Sequence, residues 1–345
     1  MAESAGHDGT CAGDGSGSGT GNGSGGGFGD GTGSGSGSGD GSGSGSGSGD
    51  GSGTGDDRDT RSSSELLGFA PGARVLIVNA DDFGMYHAVN TAVIDAIEQG
   101  IASSCSLMVP CPGAPEAMRL LRERPEIPFG VHLTLFCDTA RAPHQWGPLA
   151  APESVPSLLD EEGELFSPDG VPELLAQARL EDVEREFRAQ INAVLAAGLR
   201  PTHLDWHCLA DGGRDDIFDL TASLAAEHGL AVRVWLDPAR RKTRPRGLPV
   251  TDHPFLDSFS LGLDGKADRY AELLRSLPAG LSEWAVHPGL DDADARTADP
   301  GGWSVRSTDH AFLTSPRARE LVDREGVIVT DYRTVQRLWQ RAASA

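Results

Sequence analysis

Nowhere does the sequence approach the roughly 18 consecutive apolar residues that a membrane span requires. Its first residues show neither a basic n-region nor an apolar h-region, so no secretory signal peptide is expected. Cysteine is scarce: Cys11, Cys105, Cys111, Cys137 and Cys208 are odd in number and never fall in CxxC spacing. Neither a disulfide framework nor a structural zinc knuckle is indicated. Basic residues are outnumbered: 29 of them face 51 acidic ones for a net charge of −22. Such a balance argues against sequence-independent nucleic-acid binding and against an anionic membrane surface as partner. It suits solubility and selects no substrate. A GxSxG nucleophile elbow is absent too. The expectation is a soluble cytoplasmic protein.

What the sequence has in excess is glycine, in one place. Residues 1–62 hold 25 of the 46 glycines and only six hydrophobic residues. A segment with so little apolar surface cannot offset the entropy of ordering its backbone, so a disordered Gly/Ser-rich tail is expected over residues 1–65. Its GTGSGSGSG-like runs are linker composition, not dinucleotide or phosphate loops. The folded domain is expected over residues 66–345.

From there strand and helix patterns alternate. Residues 74–79 (RVLIVN) form an apolar run suited to a buried parallel strand, and residues 87–99 place Val89, Val93, Ile94 and Ile97 on one helical face. Further strands are expected at 101–109, 127–135, 202–206, 231–236, 282–286 and 327–330. The intervening helices include 114–123, 172–197 with breaks, 215–228 and 266–277. Residues 136–171 lack a period and read as a long surface excursion. Seven or eight parallel strand–helix units favour a TIM-barrel-like (β/α) barrel, with a doubly wound open sheet as the alternative.

In such folds reactive groups sit at the C-terminal ends of strands. The strand ends here carry Asn79-Ala80-Asp81-Asp82-Phe83-Gly84, then His132, then His203, Asp205 and His207, and late in the chain His287. Two carboxylates directly after an apolar strand are costly unless solvated or bound to a cation. Asp82 could be a turn or capping residue before Gly84. With histidines from other strands nearby, one carboxylate and two imidazoles suit a divalent metal. Adjacent strand residues point to opposite faces, so Asp81 and Asp82 can share a site only if the strand has already turned. Arg306 and Asp309 read as the solvated start of a helix, with a contact to the barrel mouth as the alternative.

The motifs NADDFG at 79–84 with Asn90 downstream, SCSLMVP at 104–110, GVHLTL at 130–135 and THLDWH at 202–207 resemble the YdjC/ChbG-like carbohydrate deacetylases. The resemblance implies a metal-dependent amide hydrolase that removes acetyl groups from N-acetylated sugars. It implies Asp82, His132 and His207 as metal ligands, Asp81 as general base and His287 as general acid. His203 and Asp205 would orient a ligand. Mg²⁺ or Zn²⁺ is the expected metal, with Mn²⁺ or Fe²⁺ as alternatives. The implied partner is an N-acetylated sugar or oligosaccharide, with a homodimer left open. Pro110, Phe136 and the Cys208–Gly212 stretch depart from the family pattern; they spare the proposed ligands and alter the groove walls. A catalytically silent sugar-binding protein and an amidohydrolase for another acylated amino sugar are the competing readings.

Overall fold

The computed structural model describes residues 61–139 and 143–343. Most of the Gly/Ser-rich tail therefore lies outside the described residues. Ordered structure begins upstream of Leu66: a short helix Ser63–Leu66 carries a capping box, in which Ser62 and Glu65 bond each other's backbone N–H. The Asp252 carboxylate accepts from the backbone N–H groups of Ser63 and Ser64 and anchors this helix to the body.

Eight strands form one sheet: β1 (Arg74–Phe83), β2 (Ser104–Leu107), β3 (Phe129–Leu133), β4 (His203–Trp206), β5 (Ala231–Val232), β6 (Leu256–Asp257), β7 (Gly280–Val286) and β8 (Ile328–Thr330). Their order is β5-β4-β3-β2-β1-β7-β6, with β8 added on β1. Every pairing is parallel. The α/β class and the strand number are those expected from the alternation. The sheet curls into a half-barrel, and among the described residues its end strands β5 and β6 each have one strand neighbour.

β1 organises this sheet. It pairs with β7 from Arg74 to Ala80 along one edge. On its other edge it holds β8 at Val75–Ile77 and β2 from Asn79 onward. Nine of its ten residues are buried, as suits a central strand flanked on both edges by other strands.

β5 ends four residues earlier than its apolar pattern predicts. The Asp211 carboxylate accepts from the backbone N–H groups of Trp235 and Leu236, both at 2.7 Å, and so takes the place of a ladder partner. The two-residue β6 sits in a Pro/Arg-rich piece with no strand signal. The excursion at 136–171 is more packed than a surface loop. Phe136, Trp146, Val155, Leu158, Leu165 and Phe166 are buried. Its backbone is fastened to helix Leu180–Ala196 by Glu186, which accepts from Leu149 and Ala150, and by Asp182, which accepts from Ser157. No described helix is long and apolar enough to cross a membrane.

Candidate active site

The site is assembled at the C-terminal ends of β1, β3 and β4. Pairing of β1 with β2 shifts register between Ala80 and Phe83. There Asp82 adopts φ +65°, in the left-handed region that non-glycine residues seldom occupy. This is the turn that Asp81 and Asp82 need in order to face one site. Gly84 follows with φ +99°, and a Cβ there would lie 2.9 Å from Leu107 Cδ1 and 3.0 Å from the Met108 carbonyl. Asn90 braces the turn by accepting from the Gly84 N–H at 2.7 Å.

Asp82, His132 and His207 are all buried, and their ligating atoms lie within 4.8 Å of one another. Asp82 Oδ1 is 3.4 Å from His132 Nε2 and 3.1 Å from His207 Nδ1. Metal–ligand bonds of about 2.0–2.2 Å in tetrahedral or octahedral geometry separate neighbouring donors by roughly 3.0–3.5 Å, so the donor set fits a divalent cation. The other Asp82 oxygen accepts from Arg306 Nη1 at 2.8 Å. Burial works to raise the Asp82 pKa, but Arg306 and the two imidazoles overcome it and hold the carboxyl well below its usual range.

The neighbouring Asp81 belongs to a second buried group with His132 and Asp205. Its two oxygens accept a forked pair of hydrogen bonds from Arg233, at 2.7 and 2.8 Å, and Asn79 donates to Oδ1 at 2.7 Å. Burial opposes ionisation here as well, yet the guanidinium lowers the pKa. Asp81 Oδ2 is 3.9 Å from His132 Nε2, on the side of the cluster. Arg233 also reaches Asp205 at 3.1 Å and Glu283 at 2.9 Å, so one buried cation holds three carboxylates.

The site's field favours positive charge. Burial would depress His132, but Asp205 and Asp81 raise it to about 9. His207 is pushed well above its ordinary value, burial being outweighed by Asp138 and Asp82. A place that stabilises imidazolium this strongly is suited to a divalent cation.

Asp205 accepts from His132 Nδ1 at 3.0 Å and from Ser106, and thereby orients that ring. His203 stacks on Tyr332 at 3.6 Å and lies 3.7 Å from Asp205; it supports the group from below. His287, just beyond β7, sits apart from the cluster among the described contacts. Its Nδ1 is 2.8 Å from Ser258 Oγ, its backbone N–H donates to Asp309, and Phe259 packs edge-on at 4.7 Å.

Arg306 and Asp309 correct the sequence reading. They lie within helix Trp303–Leu313, and both are buried. Asp309 takes Tyr270 Oη and Lys266 Nζ as partners, so neither residue starts a solvated helix. Asp138 and Glu283 carried no strand-end signal. Arg233 carried none either, and stands out only as a lone charge in the apolar run AVRVWL.

A family model described as YdjC-like protein matches residues 75–324, which include every residue discussed above between Asp81 and Asp309. The chain is 34% identical over 266 residues to a carbohydrate deacetylase of Geobacillus stearothermophilus, covering 77% of this chain and 99% of that protein. It is 28% identical to a chitooligosaccharide deacetylase of Yersinia enterocolitica, covering 75% and 98%. A solved structure of a candidate cellobiose-phosphate cleavage protein from Enterococcus faecalis superposes with a TM-score of 0.64 at 26% identity, over 76% of this chain and 99% of that one. With the family model spanning most of the barrel and full-length relatives at this identity, the chain belongs to the YdjC-like family.

Proposed function

We propose that the protein is a metal-dependent hydrolase that removes the acetyl group from an N-acetylated sugar. The observation that carries this reading is the convergence of Asp82, His132 and His207, from three strand ends, into a buried donor set of the right size for a divalent cation. The carbohydrate and chitooligosaccharide deacetylases among its relatives support the substrate class.

In this reading Asp82, His132 and His207 hold the cation. When bound, it supplies Lewis-acid polarisation of the acyl carbonyl and acidifies a water molecule. Asp81 is the general base. Arg233 and Asn79 keep it ionised, and Oδ2, on the His132 side, takes the proton of the attacking water. The water oxygen bonds to the acyl carbon as the C–N bond breaks, giving acetate and the free amine. His287, whose Nδ1 is engaged by Ser258, is assigned the delivery of a proton to the departing nitrogen.

The test is acetate release from N-acetylglucosamine oligomers by protein supplied with Zn²⁺, Mg²⁺ or Mn²⁺. Activity should be lost with a chelator and in Asp82→Asn and Asp81→Asn. Full activity in either variant would refute the assignment of that residue. Binding of the same oligomers without turnover, under every metal, would favour a silent sugar-binding protein.

A further inference from the structure

Each imidazole of the cluster is held at both nitrogens by carboxylates. His132 turns Nε2 to Asp82 and bonds Asp205 through Nδ1 at 3.0 Å. His207 turns Nδ1 to Asp82, and both oxygens of Asp138 lie 3.0 Å from its Nε2. The two pairs have different origins. Asp205 lies on β4, two residues before His207, whereas Asp138 comes from the excursion that follows β3.

That excursion is built to hold Asp138 in place. Cys137 N–H donates to the Phe166 carbonyl at 2.8 Å, and Trp146 Nε1 donates to the Phe136 carbonyl at 3.0 Å. The Phe136 ring packs against His207 at 5.1 Å. The His207 ring is thus fixed by Asp82, Asp138, Phe136 and the edge-on ring of His132. Asp138 itself is a quarter exposed, so its side chain can be exchanged without opening the core.

We infer that Asp138 is the positioning residue for His207. It accepts the Nε2 proton and leaves the Nδ1 lone pair directed at the Asp82 side, as Asp205 does for His132 with the nitrogens reversed. The inference rests on the metal-dependent reading of the site. Carboxylates bonded to the second nitrogen of a ligating histidine fix its tautomer and raise its basicity, and their loss weakens metal affinity by about 10–100-fold. Asp138 is accordingly a residue through which the Phe136 and Trp146 contacts bear on the metal affinity of this chain.

The experiment measures Zn²⁺ and Co²⁺ affinity of the full chain by competition with a chromophoric chelator, and records the visible spectrum of the Co²⁺ form. Wild type is compared with Asp138→Asn, Asp138→Ala, Asp138→Glu and Asp82→Asn, each checked for folding by its thermal melt. Asn and Ala should weaken binding by about 10–100-fold, with Co²⁺ band positions kept, and Glu should recover part of the loss. Wild-type affinity in Asp138→Asn overturns the inference while leaving the metal site standing. A Co²⁺ spectrum reporting a lost ligand in Asp138→Asn overturns it differently, by making Asp138 a ligand. Wild type that binds neither ion, like Asp82→Asn, overturns both this inference and the reading beneath it.

Discussion

Arg306 Nη1 donates to Asp82 Oδ2 at 2.8 Å, behind the oxygen that faces His132 and His207. The same guanidinium donates through Nε to Asp299 at 2.7 Å, and Arg306 is only 3% exposed. A buried carboxylate deprived of its cation is costly, typically about 3–5 kcal/mol. Arg306→Met should therefore lower unfolding stability by that order. Arg306→Lys keeps the charge but cannot reproduce a fork spanning two carboxylates, and should lose less. Urea unfolding of both variants checks this. A loss below about 1 kcal/mol for Arg306→Met would mean that His132 and His207 suffice to hold the Asp82 charge.

Gly130 on β3 carries a second constraint. A Cβ there would lie 2.5 Å from His203 Nε2 and within 2.7 Å of two further ring atoms. The ring cannot retreat easily, because it is fully buried and stacked on Tyr332. Gly130→Ala should cost about 1–3 kcal/mol by overpacking, and push His203 toward Asp205 and so disturb His132. The measurable result is a melting temperature lowered by roughly 2–12 °C, since about 1 kcal/mol corresponds to 2–4 °C in a large domain. An unchanged melt would show that the Tyr332 stack yields.

How far the sequence reaches is visible in particular elements. Helices Ala114–Glu123 and Asp215–His228 have the bounds their periodicity predicts, because a closing Pro or Gly and an apolar stripe both act locally. Asp82, His132 and His207 stand out because parallel strands deliver their last residues to one mouth. Asp138 does not, since a segment without period gives no hint of where its side chains return. Arg306 fails for another reason: a charged residue within a helix looks the same whether its face meets water or a carboxylate from β1. β5 shortens because a side chain 20 or more residues upstream, Asp211, takes its backbone donors. Local pattern cannot report that.

Glu283 on β7 predicts one pH dependence. Burial raises its pKa to about 7 from 4.5, against the pull of Arg233 and the Tyr332 hydroxyl. A folded-state value above the unfolded one means the folded protein binds the extra proton. The associated stability is complete below about pH 4.5 and is lost as pH rises through about 7. Wild type should thus lose roughly 2–3 kcal/mol from this group across that window, and Glu283→Gln should flatten the slope. Unfolding free energies at pH 5 and 7.5 decide it; parallel slopes in the two proteins would remove Glu283 as the source.

Asp182 predicts the opposite sign. Burial would raise it, but Arg179 and the Ser157 hydroxyl and N–H hold it at about 2, below the unfolded 3.8. A depressed folded value gives stability that is present above about pH 4 and disappears as pH falls toward 2. The arginines around it are more than half exposed and therefore screened, so the Ser157 bonds, at 2.7 and 3.1 Å, carry most of the effect. Asp182→Asn should cost about 1–2 kcal/mol at pH 6, and its deficit relative to wild type should shrink by about 1 kcal/mol at pH 3. Because Asp182 fastens the excursion to helix Leu180–Ala196, the same variant should speed amide exchange around Ser157 and Leu158. A deficit constant from pH 6 to pH 3 would mean that the Asp182 charge does not hold this segment down.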